Sequence, residues 1–546
     1  MILRTLCLAS LLLAVPPALA TKAATRPNIL LIVADDLGYS DLGAFGGEIH
    51  TPNLDLLAAE GRLLTQFHTA ATCSPTRAAL ISGADHHPVG LATMAGMQQD
   101  NQRGQPGYEG YLNERALSIA QLLKDGGYHT YIAGKWHLGE TDAQSPTARG
   151  FERAFTLLGG AGSHFAPVPG KEHDYDQVKY RENGRLTTIP PHFYSTDFYT
   201  DKLLSYFKAD VADGKPFFAF AAYTTPHWPL QAPAEYLERY RGRYDAGYAA
   251  VRAARVARQR ALGLIPAGVE PAPRLPATPD NPDWEALTPE TRASEARKME
   301  VYAAMVENLD ANVGRLIRAL KQDGRYDNTL IVFFADNGAE GARGHKDGPN
   351  IDNSLANYGK PLSNLYYGKR WAEVSATPHR LWKGHATQGG VNTPAIVRLP
   401  GQQTGKPLFG QLATVRDIAP TLLQLARLPN PGRRYAGKAV EPLSGVSLLS
   451  ALQRDDIKVR PEGAIVADEL FGRRYVLQDQ WKLVWEEAPW GAGRWALYDL
   501  ATDPAEQHDL AFEHPARVER LTAAWNDYAR RNGVILPARP GMAGRE

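Results

Sequence analysis

The residues of this chain best suited to chemistry fall into five short stretches. Asp35-Asp36 and Asp336-Asn337-Gly338 offer oxygen ligands only, Gly134-Lys135-Trp136-His137 an ammonium and an imidazole, and Tyr223-Thr224-Thr225-Pro226-His227 a second imidazole. Carboxylate and amide oxygens are what a hard divalent cation such as Ca2+ or Mg2+ prefers. Three carboxylates brought together would repel one another unless a cation neutralised them. Either acidic pair alone could equally be a turn after a strand, with Asp capping the next helix. Two such pairs at equivalent strand ends favour the metal. The fifth stretch is Cys73-Ser74-Pro75-Thr76-Arg77-Ala78-Ala79-Leu80-Ile81-Ser82-Gly83, which reads as a helix beginning at Pro75 with Cys73 just before it. Backbone N–H groups at a helix start favour an anion, or a nucleophile that becomes one. Arg77, one turn along, can reach back to the same point. The plainer reading of Cys73 is a small, buried, inert residue.

Four of these stretches follow a short apolar run. Residues 29–34 lead into Asp35, 130–133 into Gly134, 217–222 into Tyr223 and 330–335 into Asp336. Runs apolar throughout read as strands covered on both faces. The amphipathic patterns over 54–62, 116–125 and 303–322 read as helices. Their alternation predicts an α/β fold, a large mixed β-sheet sandwiched by helices. Ligands in such sheets bind beyond the carboxyl ends of the strands, so four strands would deliver the acids, the lysine and the histidines to one edge. From about residue 462 the texture changes to short strands (464–467, 474–478, 481–486 and 495–500) and a closing helix over 515–531. The expected organisation is a catalytic domain over 25–445 and a smaller C-terminal α+β domain, an antiparallel sheet plus a helix, over 446–546. Residues 160–196, rich in Gly, Pro, His and Tyr, are expected to be irregular. The Arg/Ala-rich residues 240–262 read as an exposed helix.

Composition narrows the function. Lys and Arg number 60 against 59 Asp and Glu, a net charge of +1, so no global field steers the chain to nucleic acid or an anionic membrane. An apolar content of 44% excludes intrinsic disorder. Residues 1–20 carry one cation, Arg4, then an apolar stretch, and close on Ala18-Leu19-Ala20, the pattern of a cleavable export signal. A soluble, monomeric protein, periplasmic or secreted, is expected. Cys7 would leave with the signal, and Cys73 would then be the single thiol of the mature chain.

Cys73-x-Pro75-x-Arg77, continued through Leu80 and Gly83, resembles the sulfatase signature, and Gly134-Lys135-Trp136-His137-Leu138-Gly139 resembles the second signature of that family. The likeness extends over residues 26–59, 226–233, 335–341 and 387–391 with Pro394, all similar to bacterial arylsulfatases. Ser82 stands where Thr is commoner. The resemblance implies an alkaline-phosphatase-like fold and hydrolysis of small aryl sulfate monoesters. It also implies a maturation enzyme that oxidises Cys73 to formylglycine. The hydrated aldehyde has two hydroxyls, so one attacks sulfur and the other expels sulfate as the carbonyl reforms. By the same resemblance Asp35, Asp36, Asp336 and Asn337 hold Ca2+, which the modified Cys73 also touches. Arg77 steadies the nucleophilic oxygen and Lys135 positions it. His137 takes the proton in the elimination, and His227 and Lys383 grip sulfate oxygens, one of them protonating the leaving alcohol. Asp336 is followed by Asn337, not by the histidine of the zinc phosphatases in the same superfamily, which points to calcium.

Two other functions fit the same pattern less well. A formylglycine-dependent phosphonate or phosphate ester hydrolase would bind a similar tetrahedral oxyanion. A binding protein on a decayed enzyme fold would not need Cys73, Arg77, His137 and the acids all intact. For the leaving group, Tyr358, Tyr366, Tyr367, Trp371 and Trp382, with His192 and Tyr194, are candidates to rim the site, or else to pack their loops onto the sheet.

Overall fold

Alternate residues of the first strand, β1 (Asn28–Ala34), enter opposite cores. Leu30, Ile32 and Ala34 join one large apolar cluster, and Ile29, Leu31 and Val33 join another. That is why the run is apolar throughout, since both faces of the strand are covered. In this computed structural model, which describes residues 26–342, 345–405 and 408–542, β1 lies inside a ten-stranded mixed sheet. The other strands are β2 (Arg62–Leu64), β3 (His129–Lys135), β4 (Arg153–Leu157), β5 (Tyr180–Glu182), β6 (Arg185–Thr187), β7 (Phe217–Ala222), β8 (Thr329–Ala335), β9 (Ala395–Arg398) and β10 (Leu408–Phe409). Their spatial order is β10-β2-β9-β8-β1-β7-β3-β4-β5-β6. Strands β8, β1, β7 and β3 are neighbours and parallel, so their carboxyl ends share one edge.

Helices cover both faces. On one face lie α1 (Pro52–Glu60), α4 (Ser195–Asp210) and the 34-residue α6 (Pro289–Gln322). The other face carries α2 (Cys73–Ser82), α3 (Ile119–Asp125) and α7 (Ile418–Ala426). Helix α5 (Gly247–Ala261) packs nearby. The antiparallel sheet β11 (Ile465–Leu470), β12 (Arg473–Gln478), β13 (Trp481–Trp485) and β14 (Trp495–Asp499) carries α8 (Pro515–Asn532) on one face through Leu521, Trp525 and Tyr528. No helix among the described residues is long and apolar enough to cross a membrane. The leader expected over residues 1–20 lies outside the described residues.

Four expectations need correction. Residues 160–196 are not wholly irregular, because β5 and β6 extend the main sheet from within them. They were hidden by being three-residue strands at the end of the sheet, rich in polar side chains. Helix α6 begins at Pro289 rather than near 303, because Thr288 caps it by accepting from the Thr291 N–H. Its first turns carry no apolar stripe to reveal them. Residue 62 belongs to β2 and not to α1, which stops at Glu60. Helix α5 is not simply exposed: Arg255 is fully buried, paired with Asp41 and Glu48.

Candidate active site

Three of the four central strands end in small residues, Ala34, Ala222 and Ala335, and Gly134 is the second-last residue of β3. Gly134 has φ 121, and a Cβ there would lie 1.8 Å from the Ala222 carbonyl oxygen, so only glycine lets β3 pass β7 at this point. Beyond these ends the backbone turns sharply. Asp36 (φ 66) and His137 (φ 57) both occupy the left-handed region that non-glycine residues rarely adopt. Such strain persists where the surrounding structure enforces it, typically at functional sites.

The second contributor is α2. Thr72 precedes it in extended conformation and Cys73 is its first residue, two positions earlier than the start at Pro75 that the sequence suggests. Gly83 ends it in the left-handed region at φ 64, which accounts for the glycine at the end of the motif. Every residue of this helix is buried. Cys73 Sγ lies 4.0 Å from Asp36 Oδ1. The Arg77 guanidinium reaches back as its spacing suggests, with Nε 2.9 Å and Nη2 2.8 Å from Asp336 Oδ2, and it donates to the Lys135 carbonyl at 2.9 Å.

Every acid here has a cation or an amide. Lys135 Nζ is 2.7 Å from Asp35 Oδ2. Lys383 Nζ bridges Asp36 Oδ2 at 2.8 Å and Glu340 Oε2 at 2.9 Å. Asn337 donates to Asp36 Oδ1 at 2.7 Å. His227 Nε2 lies 3.5 Å from Asp36 Oδ2, while its Nδ1 is tied to the Trp228 carbonyl at 2.6 Å. His164 holds the His227 carbonyl in turn, at 2.9 Å. Asp35, Asp36, Asp336, Asn337, Cys73, Arg77, Lys135, His137, His227 and Lys383 are thus brought together from six segments.

Burial and charge tune these groups. Burial drives the Asp336 carboxyl up to about 7, and the neighbouring Asp35 carboxylate adds to the rise against Arg77 and Lys135. Burial also works to raise Asp35, but Lys135, His227, Arg77 and Lys383 together carry it below the usual carboxylate range. The Cys73 thiol is pushed up by burial. His137 falls well below an ordinary histidine through burial, then through Lys135 and Arg77, so its ring is neutral and can accept a proton. His227 is lowered too, mainly by burial.

The residues fit a hard cation. Asp35 Oδ1 and Asn337 Oδ1 are buried oxygens that make no hydrogen bond among the described residues. Leaving them so is costly unless something else satisfies them. Asp35, Asp36, Cys73 and His227 can each place one donor atom within 4.8 Å of the others. The imidazole of His227 was not foreseen in this group.

Above this floor opens a cavity of about 640 Å³, lined by Cys73, His137, His227, Lys383 and Glu340 below and by Met94, Met97, Met542, Tyr175, Trp228 and Tyr366 among others above. Of the aromatics proposed from sequence, Tyr366 alone lines it. Tyr367 stacks on Tyr302, Trp371 packs against Tyr244, Tyr248 and Trp284, and Trp382 sits against Trp490. Tyr358 bonds Ser294, Tyr194 bonds the Gln231 carbonyl, and His192 is exposed. Sequence reasoning missed Glu340, the carboxylate partner of Lys383, although it lies four residues after Asp336. It also missed Gly160, whose lack of a side chain makes room for the His137 ring.

Comparison with known proteins agrees with this geometry. The family model for sulfatases matches residues 27–428. An uncharacterised sulfatase of Schizosaccharomyces pombe is 41% identical over 536 residues, covering 93% of this chain and 94% of that protein. The arylsulfatase of Klebsiella aerogenes is 41% identical over 431 residues, covering 78% of this chain and 91% of its own. Among solved structures, Ps i-CgsB shares the fold at TM-score 0.67 and 23% identity, covering 94% of this chain and 95% of that one. The phosphonate monoester hydrolase of Agrobacterium radiobacter does so at TM-score 0.55 and 20% identity, covering 93% and 96%. The chain belongs to the sulfatase family, hydrolases of sulfate esters.

Proposed function

We propose that this sulfatase is an arylsulfatase, cleaving small aryl sulfate monoesters to a phenol and inorganic sulfate, with residue 73 as formylglycine and Ca2+ bound by Asp35, Asp36, Asp336 and Asn337. The observation that carries the reading is the position of Cys73. It stands at the buried start of α2, against Asp36 and at the floor of a cavity wide enough for an aromatic ester. A thiol raised by burial is a poor nucleophile as it stands, which suits a residue that is to be chemically converted. Conversion also replaces sulfur by oxygen beside the acids, leaving His227 as the single nitrogen in a donor set that then suits calcium better than zinc.

Bound there, Ca2+ would supply Lewis-acid polarisation of a sulfate oxygen. The chain's own groups do the rest. Arg77 and Lys135 fix the nucleophilic side chain of residue 73 from α2 and β3. Lys383, anchored between Asp36 and Glu340, presents N–H groups toward the sulfate and the leaving oxygen, and His227, its proton held on Nδ1 by the Trp228 carbonyl, turns Nε2 to the same place. His137 is neutral and lines the cavity together with residue 73, as a general base requires. The leader-like residues 1–20 support a periplasmic or secreted site of action.

The test compares product release from 4-nitrophenyl sulfate, phosphate and phenylphosphonate esters by purified enzyme, alongside the mass of the peptide containing residue 73. Sulfate release with an aldehyde at residue 73 is the expected result. Faster phosphonate or phosphate release, or activity with an intact thiol, would overturn the proposal.

A further inference from the structure

The proposed chemistry uses the ionic floor of the cavity and leaves its upper half unexplained. That half has an unusual composition. The chain contains six methionines, and three of them, Met94, Met97 and Met542, line this one cavity. Met94 belongs to an apolar cluster with Ala71 and Phe471, and Met97 and Met542 pack against the same cluster, so the three thioethers line the cavity from one apolar cluster. A second wall is aromatic. Trp228 follows His227 directly, with Tyr366 at 4.7 Å and Tyr175 at 5.3 Å between ring centroids.

Met542 comes from the far end of the chain, and its place is fixed by design of the tail. Gln102 and Tyr108 donate to the Ile535 carbonyl at 2.8 and 2.9 Å, and Gln99 to that of Arg539 at 2.7 Å. The Gly541 N–H then bonds the Phe471 carbonyl at 2.8 Å. Gln99 and Gln102 stand only a few residues after Met94 and Met97. The tail is therefore pinned to the same loop that carries the other two thioethers.

We infer that the leaving-group half of this cavity is an adaptable apolar slot, closed by the C-terminal tail, that takes sulfate esters of hydrophobic alcohols, alkyl as well as aryl. The inference rests on the sulfatase reading and narrows it. A sugar presents hydroxyls in every direction and needs directed donors and acceptors around it, which thioether and ring faces do not supply. Among the described residues, the cationic groups at the rim are Lys346, which lies over the Tyr175 ring at 4.9 Å, and His345, which pairs with the exposed Asp347. Methionine is unbranched and polarisable, and re-packs around ligands of different shape. A rigid wall would select one ring, whereas this one admits a ring or a chain.

The experiment is a series of linear alkyl sulfates from ethyl to octyl, with 4-nitrophenyl sulfate and glucosamine 6-sulfate as references. We expect kcat/KM to rise roughly three- to fourfold for each methylene buried, until the slot is full. The double variant M97Q/M542Q, similar in length but polar, should flatten that rise and lose about tenfold or more on the longest chain, mainly through KM. M97L/M542L should restore it. A flat response to chain length in the wild type, or glucosamine 6-sulfate turned over as fast as octyl sulfate, would overturn the inference. Titration calorimetry of the same esters separates it from the reading beneath. If no ester releases sulfate but affinity still climbs with chain length, the slot stands and the sulfatase chemistry falls. If affinity does not climb either, both fall.

Discussion

Adding one methyl group at Gly160 should reproduce much of the effect of removing His137. A Cβ at position 160 would lie 2.7 Å from both Cε1 and Nε2 of His137 and 3.4 Å from Cδ2. Non-bonded carbons settle at roughly 3.5–4.0 Å, so the ring must retreat by about 1 Å. Gly160 itself lies outside the left-handed region, so alanine there meets no backbone strain and the clash is the whole perturbation. The ring lines the cavity and its backbone is held at φ 57, so it retreats by turning into the cavity and loses its aim. A misplacement of about 1 Å lowers a rate by roughly 10²-fold, equivalent to about 2.7 kcal/mol in the barrier. In the proposed mechanism His137 serves the release of sulfate more than its transfer to residue 73. Rapid mixing of Gly160→Ala with 4-nitrophenyl sulfate should therefore show a burst of nitrophenol near one equivalent, then turnover about 10²-fold slower. His137→Ala should show the same burst with a deeper loss, and sulfate retained on residue 73 by mass spectrometry. Steady-state turnover of Gly160→Ala within threefold of wild type, or slowing of the burst itself, would refute the assignment.

Three further outcomes are expected. Asp336→Ala should lose bound calcium and at least about 10²-fold in activity together, and stoichiometric zinc in active wild-type enzyme by elemental analysis would contradict the calcium assignment. Cys73→Ser, left as serine, should fold normally by circular dichroism yet fail to turn over more than once, because a single hydroxyl can attack but cannot eliminate; sustained turnover would refute the covalent route. His87 bridges Asp85 and Glu469 at 2.8 and 3.1 Å; burial opposes its charge, but the two carboxylates push its pKa up to about 10. Since an unfolded histidine titrates near ~6.5, this stabilisation is complete below that pH and is lost as pH rises through about 10. The Tm of the wild type should therefore fall more steeply from pH 7 to pH 10 than that of His87→Gln, and parallel curves would exclude the contribution.

How much of this was legible in the sequence follows from what each residue has to satisfy. Asp35, Lys135 and Asp336 could be placed because strands buried on both faces read as unbroken apolar runs, and polar residues directly after them must lie at the sheet edge. Cys73 and Arg77 could be paired because helical spacing is local. The aromatics could not be sorted, since Trp371 and Tyr366 stand only five residues apart, Trp371 in the helix Gly368–Ala376 and Tyr366 just before it, and nothing local says which side chain faces the cavity. Trp371 is surrounded by Tyr244, Tyr248 and Trp284, none of which is near it in sequence. The methionines of the cavity were hidden for the same reason: Met542 reaches the cavity that Met94 lines through a tail whose anchors, Gln99, Gln102 and Tyr108, look like ordinary polar residues.

With the proposed cation bound, the charges at the floor would suit a monoanion. Four carboxyl groups, Asp35, Asp36, Asp336 and Glu340, meet three permanent cations, Arg77, Lys135 and Lys383. With both histidines lowered and neutral, the excess is negative. Of the four, Asp336 is the carboxyl that takes up a proton most readily, since burial and the neighbouring Asp35 push it up to about 7. A divalent cation on the same oxygens would relieve the negative excess. Asp336 would ionise, and the floor would carry one net positive charge in place of one negative. A sulfate monoester carries a single negative charge and balances that floor, whereas a phosphate monoester dianion overshoots it. Net charge in a buried site is expensive in either direction, so the same arithmetic that calls for the metal also favours sulfate over the phosphate dianion. Phosphonate monoesters, also monoanions, are not rejected on charge, and for them the apolar half of the cavity has to discriminate.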